Sequence, residues 1–411
     1  MLVHGDEPAW LVLGYQANLD AMRNPSLFSR DPRLWTAFQQ DRVPADSPLR
    51  PLVGWQPLCV FTDGDEHARL RGAVVDGLAK FNRHGIRRYI GHYTRELVQR
   101  FAASGSADLV RDYAEQLPML VMSRLFGMAP HEAPALVEPT LDLVRGSETA
   151  AASNQIVTEV LQSLVQRKKT APGNDLASWL IAHESDLSDT EIVEHLRLVL
   201  VAAHSNTVNL IAHTFRMLLT DRRFRGSLSG GQMTLPDALE QVLWDSPPTG
   251  AFPGRWATGD TMLGGQQIKA GDMLVLCPAA ANLDPEQRPD LSLPMHGNRS
   301  HLALSAGPHE CPGGDIARAI ADTGIDKLME LLPDMRLAIP EHELTTTTDW
   351  ISRRPTALPV KFTPPRSSAT ATKATGAAQP LPEAEVSPPE QKPTSTPPAA
   401  RPWWRSLFSR R

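Results

Sequence analysis

The chain has 411 residues, 41% of them hydrophobic and 21% charged, which is the composition of an ordinary protein with a large core. No run approaches eighteen apolar residues, and Met1 to Trp10 carries His4, Asp6, Glu7 and Pro8, which excludes a transmembrane helix and a secretory signal. Net charge is −5, split into +4 from Arg366 onward and −9 before it; the acidic body argues against nucleic acid as a partner.

The chain begins almost at its first predicted strand, Trp10 to Leu13. Apolar residues at three- and four-residue spacing predict helices over Glu66 to Phe81, Ile86 to Phe101 and Leu109 to Phe126. Ser188-Asp-Thr-Glu191 reads as a capping box, flanked by Leu187 and Ile192 as a hydrophobic staple. From there a helical pattern runs to about Thr220 without Pro or Gly, roughly 50 Å at 1.5 Å per residue. Leu196 to Ala203 is apolar on nearly all sides, so this helix must cross the middle of the domain. Later strands are few and short: Thr261 to Leu263, Met273 to Cys277 and Leu358 to Phe362. The fold class is mainly α with small β-sheets (α+β), built round one long helix.

Residues 1–365 form the predicted folded domain. Residues 366–400 are a Pro/Ala/Ser/Thr-rich linker with almost no large apolar residue, expected to be disordered. Residues 401–411 mix Trp403, Trp404, Leu407 and Phe408 with four arginines, a segment suited to a partner protein or to the inner face of a membrane. Three scattered cysteines, Cys59, Cys277 and Cys311, are too few for a disulfide framework or a zinc site; the chain reads as intracellular and cytoplasmic.

The most informative stretch is His301-Leu-Ala-Leu-Ser-Ala-Gly-Pro-His-Glu-Cys-Pro-Gly-Gly314. Gly307-Pro308 fixes a turn, Cys311 follows, and helical spacing resumes over Asp315 to Leu332. A cysteine just ahead of a helix meets free N–H groups and the positive dipole end, which stabilise a thiolate. A haem-iron ligand requires that; a buried structural cysteine is the alternative.

The loop resembles the haem-binding signature of bacterial cytochromes P450, and the resemblance extends over about residues 9 to 363. It implies the P450 fold, with a long central helix over haem b (iron protoporphyrin IX) and Cys311 as the metal ligand. His67-x-x-x-Arg71, Arg255 in Arg-Trp-Ala-Thr, and the histidines His301 and His309 match positions that hold haem propionates. Ala281-Asn-Leu-Asp-Pro285 and Leu358-Pro-Val-Lys-Phe362 are further matches in order.

Three departures bear on catalysis. The central helix reads Ala202-Ala-His-Ser-Asn-Thr207, placing Ser205 and Asn206 where the family has an acid and an alcohol that deliver protons. Ser205, Asn206 and Thr207 are the candidate catalytic residues, with hydroxyls and an amide but no carboxylate. The alternative has Ser205 and Asn206 satisfying backbone groups of a kinked helix; His204 reads as structural. The Glu-x-x-Arg motif becomes Gln241 and Trp244 within Glu-Gln-Val-Leu-Trp, resembling atypical members that carry Glu-Gln-x-Leu-Trp, and the meander before His301 lacks a clear matching arginine. Leu304-Ser305 replaces the usual Phe-Gly, and the family's usual N-terminal helix is missing.

The resemblance implies a monooxygenase acting on an apolar small molecule above Val199 to Thr207. Electrons would come from a separate ferredoxin and ferredoxin reductase, docking on Glu66 to Phe81 and around Arg318. The competing expectation is a catalytically weakened haem protein serving as an accessory or sensory component of a signalling or membrane-associated complex.

Overall fold

A computed structural model describes residues 2–3, 7–44, 47, 50–145, 148–295, 297–347 and 351–365. The linker and basic-aromatic segment expected over 366–411 lie outside the described residues. The central helix spans Asp189–Thr220 as 32 continuous helical residues. Its capping box is complete: Ser188 Oγ accepts from the Glu191 N–H, and the Glu191 carboxylate accepts from the Ser188 N–H at 2.8 Å. Leu187 and Ile192 are both buried, as a staple requires. The helix runs unbroken through Ser205-Asn206, and Asn206 Nδ2 donates back to the Ala202 carbonyl, the backbone bond that the alternative expects.

Leu196, Leu200, Val208, Ile211 and Phe215 of this helix are fully buried in the largest core, which also takes in Leu70, Ile90, Leu97 and Leu125. Those four come from the helices Gly64–Ala79, Arg83–Phe101 and Leu117–Phe126. The expected single helix over Leu109 to Phe126 is two pieces. Val110–Ala114 forms a π-helical turn before the α-helix begins at Leu117. Pro118 has no N–H to give back to the preceding turn, so an α ladder cannot run through it.

Four strands fall where expected, as Glu7–Val12, Thr261–Leu263, Met273–Leu276 and Pro359–Lys361. The main sheet orders its strands Leu2–Val3, Glu7–Val12, Met273–Leu276, Phe252–Ala257, Phe28–Ser29. Its pairings are antiparallel except that between Glu7–Val12 and Met273–Leu276. A three-stranded sheet (Ser106–Asp108, Pro359–Lys361, Arg336–Leu337) and a hairpin (Thr261–Leu263 with Gln266–Ile268) complete the β structure. Phe28, Leu274 and Leu276 of the main sheet share a second core with Trp244 and Leu302, tying the cysteine loop to the sheet. Among the described residues no helix is long and apolar enough to cross a membrane.

Candidate functional site: a thiolate loop ringed by cations

The cysteine loop is built of tight turns. Leu302–Leu304 and Gly307–His309 are 3-10 turns, and the following helix spans Gly314–Leu331 with Gly313 as its N-cap. Gly307 (φ +69°) runs so close to the N-terminal helix Tyr15–Arg23 that a Cβ would stand 2.9 Å from the Met22 carbonyl oxygen. The Cys311 N–H donates to the Leu304 carbonyl at 2.8 Å, closing the loop. Burial pushes the Cys311 thiol up, although the residue as a whole is exposed. The charges of Arg71 and Arg318 oppose this, but burial prevails. Cys311 stands just ahead of the helix Gly314–Leu331, in the order the sequence predicts, where the positive end of the dipole favours a thiolate.

Beside this loop lies a surplus of positive charge. His67 and Arg71 come from the helix Gly64–Ala79, Arg255 from the strand Phe252–Ala257, and His309 from the loop itself. Arg71 donates to the Glu310 carbonyl, one residue before the cysteine. Arg30, which sequence reasoning missed, is buried and donates to Val60 O at 2.8 Å and to Gly254 O. Burial and then the neighbouring Arg255 lower Arg30 to about 9, and burial lowers Arg255 to about 10. Arg30 fits only because Gly254 (φ +111°) has no side chain: a Cβ there would sit 2.5 Å from Arg30 Nη1.

Among the described residues, Asp63 is the carboxylate that Arg30, Arg255, His67 and His309 share. It accepts from Ser29 Oγ at 2.6 Å, the Arg30 N–H at 2.7 Å and His309 Nε2 at 3.0 Å. Burial opposes its charge, but the bonds from His309, Ser29 and the Arg30 N–H prevail and hold it at about 2. His309 falls to about 3, because burial outweighs its bond to Asp63; burial and Arg71 also lower His67. The two rings lie 4.1 Å apart, and buried His67 Nε2 has no partner. Three arginines against one carboxylate, with an orphaned ring nitrogen, are a donor set short of anions. A cofactor bearing two carboxylates beside its metal fits that set, since Arg pairs with carboxylate through strong charge-assisted bonds.

On the central helix the three candidate residues diverge. Thr207 is buried and its hydroxyl has no partner. Asn206 donates back to the Ala202 carbonyl at 3.0 Å and accepts from Thr249 Oγ1 at 2.8 Å. Ser205 is half-buried. His204 is structural, as expected: Nε2 donates to the Glu115 carbonyl at 2.8 Å, and burial lowers the ring to about 4.

No protein-family model matches the chain. A 2-hydroxy-5-methyl-1-naphthoate 7-hydroxylase of Streptomyces carzinostaticus is 30% identical over 368 residues, covering 86% of this chain and 88% of that enzyme. Cytochrome P450 107B1 of Saccharopolyspora erythraea is 30% identical over 364 residues, 86% of this chain and 89% of its own. The solved structure of CYP154C4 from Streptomyces sp. W2061 gives a TM-score of 0.81 at 27% identity, over 88% of this chain and 91% of that one.

The chain belongs to the cytochrome P450 family. It is a P450 monooxygenase with the P450 fold, and haem is its cofactor.

Two expectations about this P450 are corrected by the geometry. His301 does not join the cations around Asp63: its Nε2 donates to Glu240 Oε2 at 3.0 Å. Arg318, expected on a docking face, is mostly buried and spends its guanidinium on the same Glu240 carboxylate.

The meander nevertheless contributes one buried, paired arginine. Arg288 is buried, donates to Asp245 Oδ1 at 2.6 Å and to Leu291 O at 3.1 Å. Gln241 bridges to this pair, donating to Asp245 Oδ2 at 2.8 Å while its carbonyl accepts from the Met295 N–H at 2.8 Å. Trp244 donates through Nε1 to Asn298 O at 2.9 Å. A charged pair, Asp245 with Arg288, therefore stands beside the motif, with Gln241 and Trp244 serving as hydrogen-bonding braces for Met295 and Asn298.

Proposed function

We propose that this P450 inserts one atom of dioxygen into an apolar small molecule, using haem b ligated by Cys311 and electrons from a separate ferredoxin and its reductase. The observation that carries the reading is Cys311 just ahead of the helix Gly314–Leu331, beside a cation cluster short of anions. Bound haem supplies dioxygen activation and oxygen-atom transfer. Arg71, Arg255, His67 and His309 would hold its propionates, with Arg30 as an unforeseen fifth member. The hydroxylase named for a naphthoate supports a small, largely apolar substrate class.

Within this reading the chain's own residues handle the proton. Thr207 Oγ1, buried and unpartnered, is the hydroxyl free to pass one on. Asn206 is held by Ala202 O and Thr249, so it orients its neighbours and does not titrate. No carboxylate lies on Val199 to Thr207, and proton delivery is accordingly slow. We also infer kinship with the P450s that carry Glu-Gln-x-Leu-Trp in place of Glu-x-x-Arg, given the braces formed by Gln241 and Trp244.

Turnover with a surrogate ferredoxin and reductase tests the proposal, with oxidised product and peroxide both measured. The expected outcome is product accompanied by much peroxide, with Thr207→Val lowering the share of product. Normal haem loading with no product from any substrate or electron donor would favour the accessory or sensory reading.

A further inference from the structure

We propose that Glu240 is the positioning residue of the cysteine loop, clamping His301, which opens the loop, to Arg318 on the helix that follows it. The inference rests on the haem-thiolate reading of Cys311. Glu240 lies on the helix Leu235–Asp245 and is 3% exposed. One carboxylate oxygen accepts from Arg318 Nε at 2.6 Å; the other accepts from His301 Nε2 at 3.0 Å and Arg318 Nη2 at 3.2 Å. Arg299 Nε stands 3.4 Å from the first oxygen. One buried carboxylate thus joins a residue ten positions before Cys311 to one seven positions after it.

Three features separate this contact from an ordinary surface ion pair. Glu240 is almost wholly buried, so breaking the clamp strands its charge. The fork on Arg318 is bidentate, which fixes an angle as well as a distance. The flanks are braced too. The Trp244 ring stands edge-on to His301 at 6.0 Å and 85°, and His301 Nδ1 is buried without a partner, so the ring is oriented through Nε2 alone, by Glu240 at 3.0 Å and by Arg318 Nη2 at 3.4 Å.

Space has been left for the crossing. A Cβ on Gly314 would lie 2.9 Å from Leu304 Cδ1 and 3.3 Å from Arg318 Nη1. The same carboxylate holds the Arg318 cation beside Gly314, three residues after Cys311. Glu240 therefore governs both the loop's shape and the placement of that cation.

The two effects have opposite signs in one experiment. Removing the Glu240 charge without moving anything would make the thiolate harder to protonate. Releasing the loop would make it easier. Haem-loaded full-length Glu240→Gln and Arg318→Lys are reduced, bound to carbon monoxide and titrated with acid, following the red-shifted Soret band of the thiolate form. With haem content at the native level, both variants are expected to lose that band about one pH unit above the native protein, tenfold in the protonation equilibrium. Arg318→Lys keeps the charge and loses the fork, and its position at the edge of the clamp lets it decide the matter if Glu240→Gln fails to load haem. Loss of the band at the native pH or below it in the loaded variants would overturn the proposal. A native protein with no red-shifted band at all would instead overturn the haem-thiolate reading.

Discussion

Replacing Gln241 by Glu restores the family's usual acid at that position, yet here it should destabilise the protein. Gln241 Nε2 donates to Asp245 Oδ2 at 2.8 Å, so the change sets two carboxylate oxygens about that far apart. At an effective dielectric of ~20, two unit charges ~3 Å apart repel by roughly 5 kcal/mol. Asp245 is 33% exposed, and solvent screening removes about half of that. Arg288 faces Asp245 and carries a buried, unpartnered Nε, which recovers a further share. A net loss of about 2 kcal/mol remains, equivalent to raising one carboxyl by roughly 1.5 pH units. The deficit should be complete at pH 8, above the raised folded-state value, shrink as the pH falls below about 6, and close only near pH 3, where that carboxyl is protonated in both states. Urea unfolding of Gln241→Glu and native protein at both pH values, followed by circular dichroism with matched m-values, measures it. Equal or greater stability at pH 8, or a deficit indifferent to pH, would refute the electrostatics.

Ser305 sits at φ +64° and ψ −170°, a region that glycine alone occupies easily, so Ser305→Gly should raise stability by ~1 kcal/mol in the same unfolding assay. Arg255→Met should stabilise the haem-free protein by roughly 1–3 kcal/mol, because it removes a buried cation crowded by Arg30, while weakening haem affinity at least tenfold in reconstitution titrations. Glu240 ionises at about 2 in the fold against an ordinary 4.5, held down by His301 and Arg318 against the cost of burial. Its contribution is complete above pH 4.5 and lost as the pH falls towards 2, so the deficit of Glu240→Gln should shrink across that window in an acid titration of unfolding.

What the sequence made legible was local. The Ser188–Glu191 box, the four-residue spacing of His67 and Arg71, and the turn-cysteine-helix order around Cys311 are each written in a short stretch of chain. The strand Phe252–Ala257 was hidden because Pro253 and Gly254 break a strand pattern; the bulge they form makes room for Arg30. Arg30 itself looks like any surface arginine until the sheet folds over it. The Asp245–Arg288 pair was missed because its acid is displaced from the motif position, and only the fold brings the two together across the meander. His301 was misassigned for the converse reason. Its place near the cysteine in sequence says nothing of the side chain's direction, and the buried carboxylate that captures it lies 61 residues earlier.

The central claim is that Cys311 ligates haem as a thiolate. The most direct measurement is the absorption spectrum of the reduced protein with carbon monoxide, taken for native protein and for Cys59→Ser, Cys277→Ser and Cys311→Ser. The account predicts a strongly red-shifted Soret band in the first three and its loss in Cys311→Ser alone. A red-shifted band that survives in Cys311→Ser would contradict it.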